Sequence, residues 1–462
     1  MMTNKCVMGI DLGTSSVKVL CRYQDGKTLR AREAYDENTP QGWLDAVKKA
    51  LGDIAADIAP GGLVGIGLSS QTGTYIVEGE KSTRVIMWNE PRDEAHLKKL
   101  LASFSREEFM REISMPHPKM LSYPVPNLMR IKEEWGGIHR IYQPKDFLCE
   151  ALTGHMATDI YTWRGLANLT YGRYSKRLLD FAGIDECRLP PVLGCTEKAG
   201  FYGGVPVFVG CNDFFAGLVG MGIWECGDGF DVTGTSEHIG VVTEAVGENE
   251  NLVCGGYLNH NVCYGVTSSG GAALKWAADT FGGFGPPADP WEALCGDPPV
   301  FLPYITGEPR APVWDADARG VFFGIGEKAD RRTLVYSVFE GVCFALYAIL
   351  EMFGGIGRHI GGLSVAGGAA DNCALNKIKA ELFGIPLYIA DETDASALGA
   401  AMVAAVGAGW HENLHEATLH MAAKKKAVLP SGAYRGKLLA RYGVFSGLYP
   451  ILKHEFKKLG GT

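Results

Sequence analysis

A chain of 462 residues exceeds what one hydrophobic core ordinarily fills, so two domains of ~200 residues each are expected. Hydrophobic residues make up 47% and charged residues 21%, the balance of an ordinary globular fold. The formal charge of −8 argues against the basic stripe that a nucleic-acid surface needs, and the longest basic run, Lys424 to Lys426, is short, so no nucleic-acid partner is expected.

No apolar segment with a small-residue cleavage site follows Met1, and no uncharged run reaches the ~20 residues of a membrane span. The twelve cysteines are scattered, without zinc-type spacing, and read as small buried hydrophobes in a reducing compartment. A cytoplasmic protein with no membrane partner is the expectation.

In chain order, Val7 to Ile10 reads as a strand, followed by the turn Asp11-Leu12-Gly13-Thr14-Ser15-Ser16 and a returning strand from Val17 to Cys21. Trp43 to Ile58 has helical periodicity, and Leu63 to Ser69 is a strand. Arg92 to Leu101, Asn127 to Trp135 and Lys145 to Leu152 read as helices, the last ended by Gly154. Val205 to Gly210 is a buried strand that runs into Asp213 and a small-residue helix from Phe214 to Met221. The layout then begins again: strand Gly229 to Val232, turn Thr233-Gly234-Thr235-Ser236, strand Ile239 to Thr243. That repetition predicts a duplicated α/β architecture, divided near Gly222 into residues 1–222 and 223–462. Helices follow at Ala272 to Phe281, Leu334 to Phe353, Asn372 to Phe383 and Ser396 to Val406, with strands at Leu363 to Ala366 and Pro386 to Ile389.

Tight glycine turns with Thr and Ser hydroxyls bind phosphate through backbone N–H groups. Gly13, Thr14 and Ser15 make one such turn, and Gly234 and Thr235 make another. Asp11, at the end of its strand, is placed to meet a magnesium ion between phosphates. Gly367 and Gly368 form a third glycine turn, where a flat base can lie against bare backbone with Asn372 beside it. Asp213 has two local readings, a general base for a hydroxyl nucleophile or the cap of the helix it opens.

This order of motifs resembles the actin-like ATPase superfamily, and within it the FGGY carbohydrate kinases. The likeness runs through nearly the whole chain. GIDLGTSSVKV (Gly9 to Val19), QPKDFLCEALTG (Gln143 to Gly154) and FLPYITGEPRAPVWDADARGVFFGI (Phe301 to Ile325) carry it, the last resembling xylulokinase-like members. The blocks FEGVCFALYAILE, AGGAADN and ALGAAMVAAVGAG follow in the family's order.

The resemblance implies two actin/ribonuclease H-like domains with a nucleotide cleft between them. It implies ATP and Mg2+ as cofactors and a sugar or polyol, such as the ketopentose xylulose, as substrate; a homodimer is an open expectation. By position, Thr14 and Thr235 would contact phosphates, Gly271 would lie near the nucleotide, and Gly368 and Asn372 would lie near adenine and ribose. Asp11 and Asp213 would hold the metal through water, and Asp213 would be the base.

The sugar-facing loops depart from the relatives. Xylulokinase-like members have Met-His-Gly after Ser-Gly-Gln, whereas Gln71 here is followed by Thr72-Gly73-Thr74. After the base stands Phe214, in place of their Asn. Trp88, Asn89, Arg92, Tyr123 and Arg164 complete the candidate sugar pocket, and its two arginines leave a sugar acid as an alternative substrate. Two other functions remain in view, an actin-like ATPase acting on a protein partner and a sugar sensor. The first sits poorly with the presence of the sugar-kinase Asp213, the second with the presence of both Asp11 and Asp213.

Overall fold

The computed structural model describes residues 4–80, 82–90, 94–283, 285, 289–355 and 360–460. Two compact units divide the chain. One consists of Met1–Trp224, Gly255–Leu258 and Asp394–Ala423; the other consists of Glu225–Cys254, Asn259–Thr393 and Lys424–Thr462. The contiguous division expected near Gly222 therefore differs from the units at Asp394–Ala423, which belongs to the first of them.

The first unit is built on a six-stranded sheet, in the order Lys198–Tyr202, Val205–Asn212, Leu63–Ser70, Cys6–Leu12, Ser16–Tyr23 and Thr28–Ala34. The strand Leu63–Ser70 runs parallel to Cys6–Leu12 on one side and to Val205–Asn212 on the other. Cys6–Leu12 is buried along its whole length, as a strand covered on both faces must be. One cover is the helix Ala395–Gly407, whose composition of small residues lets it lie directly on the strand backbone. A Cβ on Gly9 would stand 1.8 Å from the carbonyl oxygen of Ala397, so only glycine permits that approach. This fit explains why a helix from late in the chain packs with its beginning.

A seven-stranded sheet, six of whose strands lie wholly in the second unit, has the order Val253–Tyr257, His260–Thr267, Glu237–Thr243, Gly229–Thr233, Leu363–Gly367, Leu387–Ala390 and Lys425–Val428. An antiparallel hairpin stands beside parallel strands here too: Gly229–Thr233 pairs antiparallel with Glu237–Thr243 and parallel with Leu363–Gly367. The core behind it is dominated by the helix Arg331–Met352, with Tyr336, Val338, Phe344, Leu346 and Ile349 buried. This helix is long and apolar enough to cross a membrane, but it is apolar because it is enclosed on most sides by the unit's own core.

Some elements extend beyond the sequence expectation. The first long helix runs Pro40–Ala55, because the Thr39 side chain caps it and Pro40 occupies its first turn. The helix expected from Arg92 is observed as Ala95–Ser103, and Arg92 lies outside the described residues. A small sheet (Thr83–Ile86, Tyr75–Gly79, Ile138–Tyr142) and the final helix Arg435–Gly460 had no counterpart in the sequence reading. The cysteines also need one correction: Cys254 and Cys263 form a disulfide, because neighbouring strands bring their Cα atoms to 4.2 Å.

Candidate functional site

Strand register assembles the candidate catalytic edge of the first unit. Asp11 pairs with Ser69 and Leu12 with Ser70, while Cys211 and Asn212 pair with the same two serines from the opposite side. The carboxyl ends of three parallel strands thus bring Asp11, Ser69 and Asp213 to one edge, where open α/β sheets characteristically bind ligands. Ser69 Oγ donates to Asp11 Oδ1 at 2.9 Å. Burial raises the Asp11 pKa; Lys18 and the Ser69 bond oppose that rise, and Asp394 adds to it.

Asp213 is the first residue of the helix Asp213–Gly220, and the cap of that helix is its neighbour. The Asn212 side chain accepts from the Phe215 N–H at 3.0 Å, which fills the capping role. The Asp213 carboxylate accepts only from the adjacent Phe214 N–H, at 2.8 Å, among its hydrogen bonds to described residues. Its pKa is pushed up to about 7, first by burial and then by the charge of Asp11, with Lys18 pulling the other way. A carboxylate poised near neutrality can accept a proton from a hydroxyl and release it again.

Around this edge the expected residues fall into two groups. The turn at Gly13 is closed by its N–H donating to the Ser16 carbonyl at 3.0 Å, and the Tyr35 hydroxyl donates to the Gly13 carbonyl. Ser15 is exposed at its tip. The Thr14 hydroxyl turns toward the sugar loops, donating to Gln71 Oε1 at 3.1 Å and accepting from the Trp88 indole N–H at 3.1 Å. Gln71 is 2% exposed, and its Nε2 has no hydrogen-bond partner among the described residues. Gly73 donates to Gln143 Oε1 at 3.0 Å, while Thr72 and Asn89 are exposed.

Tyr123 and Arg164 belong to the second group. Tyr123 lies against Gly165, and its carbonyl accepts from Asn127. Arg164 is buried, with its guanidinium 5.1 Å from the centre of the Phe215 ring and its Nε donating to Met115 Sδ. Phe214 packs edge-on against Phe215 at 5.3 Å.

In the second unit, Gly234, Thr235, Gly271, Gly368 and Asn372 line one cavity of about 780 Å3, together with Leu274 and Phe339. Gly271 donates to the Gly234 carbonyl at 2.8 Å, and a side chain on Gly271 would strike that same oxygen. Gly367 lies behind the lining: its φ of +106° sets the turn, and Gly368 N–H then donates to the Thr233 carbonyl at 3.1 Å. Gly368 itself faces open space. Asn372 caps the helix Cys373–Phe383 by accepting from Leu375 N–H.

Sequence reasoning overlooked Asn212 and the Lys18–Asp394 ion pair, whose charges stand 3.3 Å apart beside the candidate catalytic edge. Lys18 was legible as the residue opposite Asp11 in the hairpin, and Asp394 as the acid preceding a small-residue helix.

Residues 6–220 match the model of the FGGY family of carbohydrate kinases, N-terminal domain, and residues 231–408 match that family's C-terminal domain. The chain belongs to the FGGY family of carbohydrate kinases. It is an ATP-dependent carbohydrate kinase, a phosphotransferase with an alcohol group as acceptor. Over 496 residues it is 27% identical to the xylulose kinase of Lactococcus lactis, with 98% of this chain and 96% of the relative covered. Ligand-bound xylulose kinase from Lactobacillus acidophilus shares the fold with a TM-score of 0.86 at 21% identity, covering 98% of this chain and 100% of that one. Gluconate kinase from the same organism shares it equally, with a TM-score of 0.86 at 21% identity and coverage of 99% and 100%.

Proposed function

We propose that this kinase phosphorylates a ketopentose of the xylulose class, with Asp213 as general base. The observation that carries the base assignment is the division of labour between neighbours: Asn212 caps the helix, leaving the Asp213 carboxylate, with its pKa near 7, for chemistry. The substrate class rests on the xylulose kinases of Lactococcus lactis and Bacillus subtilis, which align with 98% and 97% of the chain.

In this reading the sugar is bound by Gln71, Thr72, Gly73, Trp88, Asn89, Tyr123, Arg164 and Phe214 of the first unit; Arg92, the remaining expected contact, lies outside the described residues. Gln71 Nε2, a buried donor without an acceptor among the described residues, is matched to a sugar oxygen. Asp213 accepts the proton of the attacking hydroxyl. Gly13, Thr14 and Ser15 through their backbone N–H groups, and Gly234, Thr235 and Gly271, serve the nucleotide phosphates, and Gly367, Gly368 and Asn372 serve the adenosine end.

Asp11 and Asp213 fit a magnesium ion. Both carboxyls have raised pKa values, Asp213's partly through the charge of Asp11, and a divalent cation favours their ionised forms. Magnesium takes one or two carboxylates and completes its shell with water and phosphate oxygens, so two acids suffice. When bound it would neutralise charge on the phosphates.

Assaying ATP consumption with a panel of ketoses, polyols and sugar acids tests the assignment. Highest kcat/KM on a ketopentose is expected; activity confined to sugar acids would replace it with the second reading, which the buried Arg164 beside Phe215 favours. A cytoplasmic location and a homodimer complete the proposal, and sedimentation of the purified enzyme tests the dimer.

A further inference from the structure

Directly beneath the second phosphate turn lies a buried charge cluster that the functional reading above does not use. Asp231 stands on the strand entering the turn Gly234–Ser236, and Glu237 on the strand leaving it. Lys379 comes from the helix Cys373–Phe383, the one that Asn372 caps at the cavity. The three are 0%, 1% and 0% exposed, respectively. Lys379 Nζ donates to Asp231 Oδ2 at 2.6 Å and also to Glu237 Oε1. One ammonium therefore ties both arms of the phosphate turn to the helix that follows the adenine-side turn.

Two carboxylates and one ammonium leave a net negative charge in a space without solvent, which is costly unless one acid is neutral. The hydrogen bonds identify where the proton goes. Asp231 Oδ1 has no donor among the described residues, and Glu237 is in side-chain hydrogen-bonding contact with Asp231, so a proton between the two carboxyls belongs on Glu237. The pKa of Glu237 is pushed up to about 8, first by burial and then by the charge of Asp231, with Lys379 opposing. Burial works against the Lys379 charge, but Asp231 and Glu237 outweigh it and raise its pKa. Among the described residues, the other titratable group facing the cluster is the Cys343 thiol from the helix Arg331–Met352, which burial keeps protonated. Glu237 also presses on the cavity rim: a Cβ on Gly270 would come within 3.1 Å of Glu237 Oε2, and Gly271 follows immediately.

We propose that Lys379 is a positioning residue for the nucleotide, which with Asp231 and a protonated Glu237 forms a neutral clamp beneath the phosphate turn. The proposal rests on the reading of the Gly234–Asn372 cavity as the nucleotide site. When Glu237 releases its proton to water, a net negative charge develops behind the turn and opposes the phosphates.

The dissociation constant of MgADP, measured by titration calorimetry between pH 6 and pH 9.5, tests this without requiring the sugar substrate. For the wild type, weakening on the order of 10-fold is expected as the pH passes 8, one pKa unit of charge coupling. Glu237→Gln mimics the protonated acid, so it keeps the neutral-pH affinity and shows a flat profile over the same range. Lys379→Met is expected to weaken MgADP at every pH and leave the KM for sugar unchanged, and Lys379→Arg to restore part of the loss. If Lys379→Met does not fold, the Glu237→Gln comparison decides alone. Parallel pH profiles for wild type and Glu237→Gln overturn the clamp. Thr235→Val separates the two levels: if it leaves MgADP affinity unchanged, the nucleotide reading fails, and if it weakens MgADP while the profiles stay parallel, only the clamp fails.

Discussion

Replacing Asp213 by Asn separates chemistry from architecture, because the amide keeps the volume and the bond from Phe214 N–H but cannot accept a proton from the sugar. A general base contributes ~10²–10⁴-fold in rate, so kcat should fall by that factor. Stability should move the other way. The Asp213 pKa rises from 3.8 to about 7 on folding, so between those values the folded protein holds a proton that the unfolded chain has released. The stability associated with that proton is full below pH 3.8, declines as pH rises to about 7, and is constant above. The full shift corresponds to ~4 kcal/mol, and solvent screening at this half-buried side chain reduces the expected gain for Asp213→Asn to ~1–2 kcal/mol at pH 8. Asn cannot titrate, so the advantage should shrink as the pH is lowered toward 4. Steady-state phosphoryl transfer and urea unfolding of both proteins across pH 4–9 supply the measurements. Wild-type kcat/KM should also fall about tenfold per pH unit below 7. Near-wild-type turnover in Asp213→Asn, or a stability difference independent of pH, would refute the reasoning.

Thr235→Val should weaken MgATP by ~10–100-fold, the range for a lost hydrogen bond to a charged group, with the sugar KM unchanged; calorimetry and initial rates check it. Gln71→Leu removes both the orphaned Nε2 donor and the acceptor of the Thr14 hydroxyl. It should raise the KM for sugar by ~10-fold or more while MgADP affinity holds, as read by paired kinetics and calorimetry. Arg441→Met strips Glu340 of its bidentate partner, held at 2.7 and 2.8 Å, and leaves a carboxyl of 0% exposure with only the Tyr336 hydroxyl, at 3.3 Å, and no countercharge bonded to it among the described residues. A loss of ~3–5 kcal/mol in denaturant unfolding is expected, with kcat preserved in the fraction that remains folded.

Much of the fold was legible because its strands are short apolar runs punctuated by glycine, and because the same strand–turn–strand layout occurs twice. Long-range packing was not. That Ala395–Gly407 lies on Gly9 depends on two segments nearly four hundred residues apart having mutually small surfaces, and no local pattern announces that match. The same holds for the disulfide: Cys254 and Cys263 look like two more scattered cysteines until the register of neighbouring strands brings them together. The final helix escaped notice because Pro450 interrupts its pattern, although the helix continues through it.

At the candidate site, residue types were more legible than their partners. Asp11 and Asp213 stand out because each ends an apolar strand, but the serine that holds Asp11 lies on a third strand, and only the parallel register Asp11↔Ser69 brings it within reach. Thr14 shows the limit most plainly. Its place in a Gly-Thr-Ser turn suggests a phosphate donor, yet its hydroxyl is engaged by Gln71 and Trp88, from loops that the sequence assigns to the sugar. A phosphate approaching this turn then meets chiefly backbone N–H groups, while the Thr14 side chain links the turn to the sugar loops. Thr14→Ser keeps that link and Thr14→Val breaks it, so a threonine that served phosphate alone would change the KM for ATP. A threonine that serves the link changes the KM for sugar, and it is this second outcome that the geometry predicts.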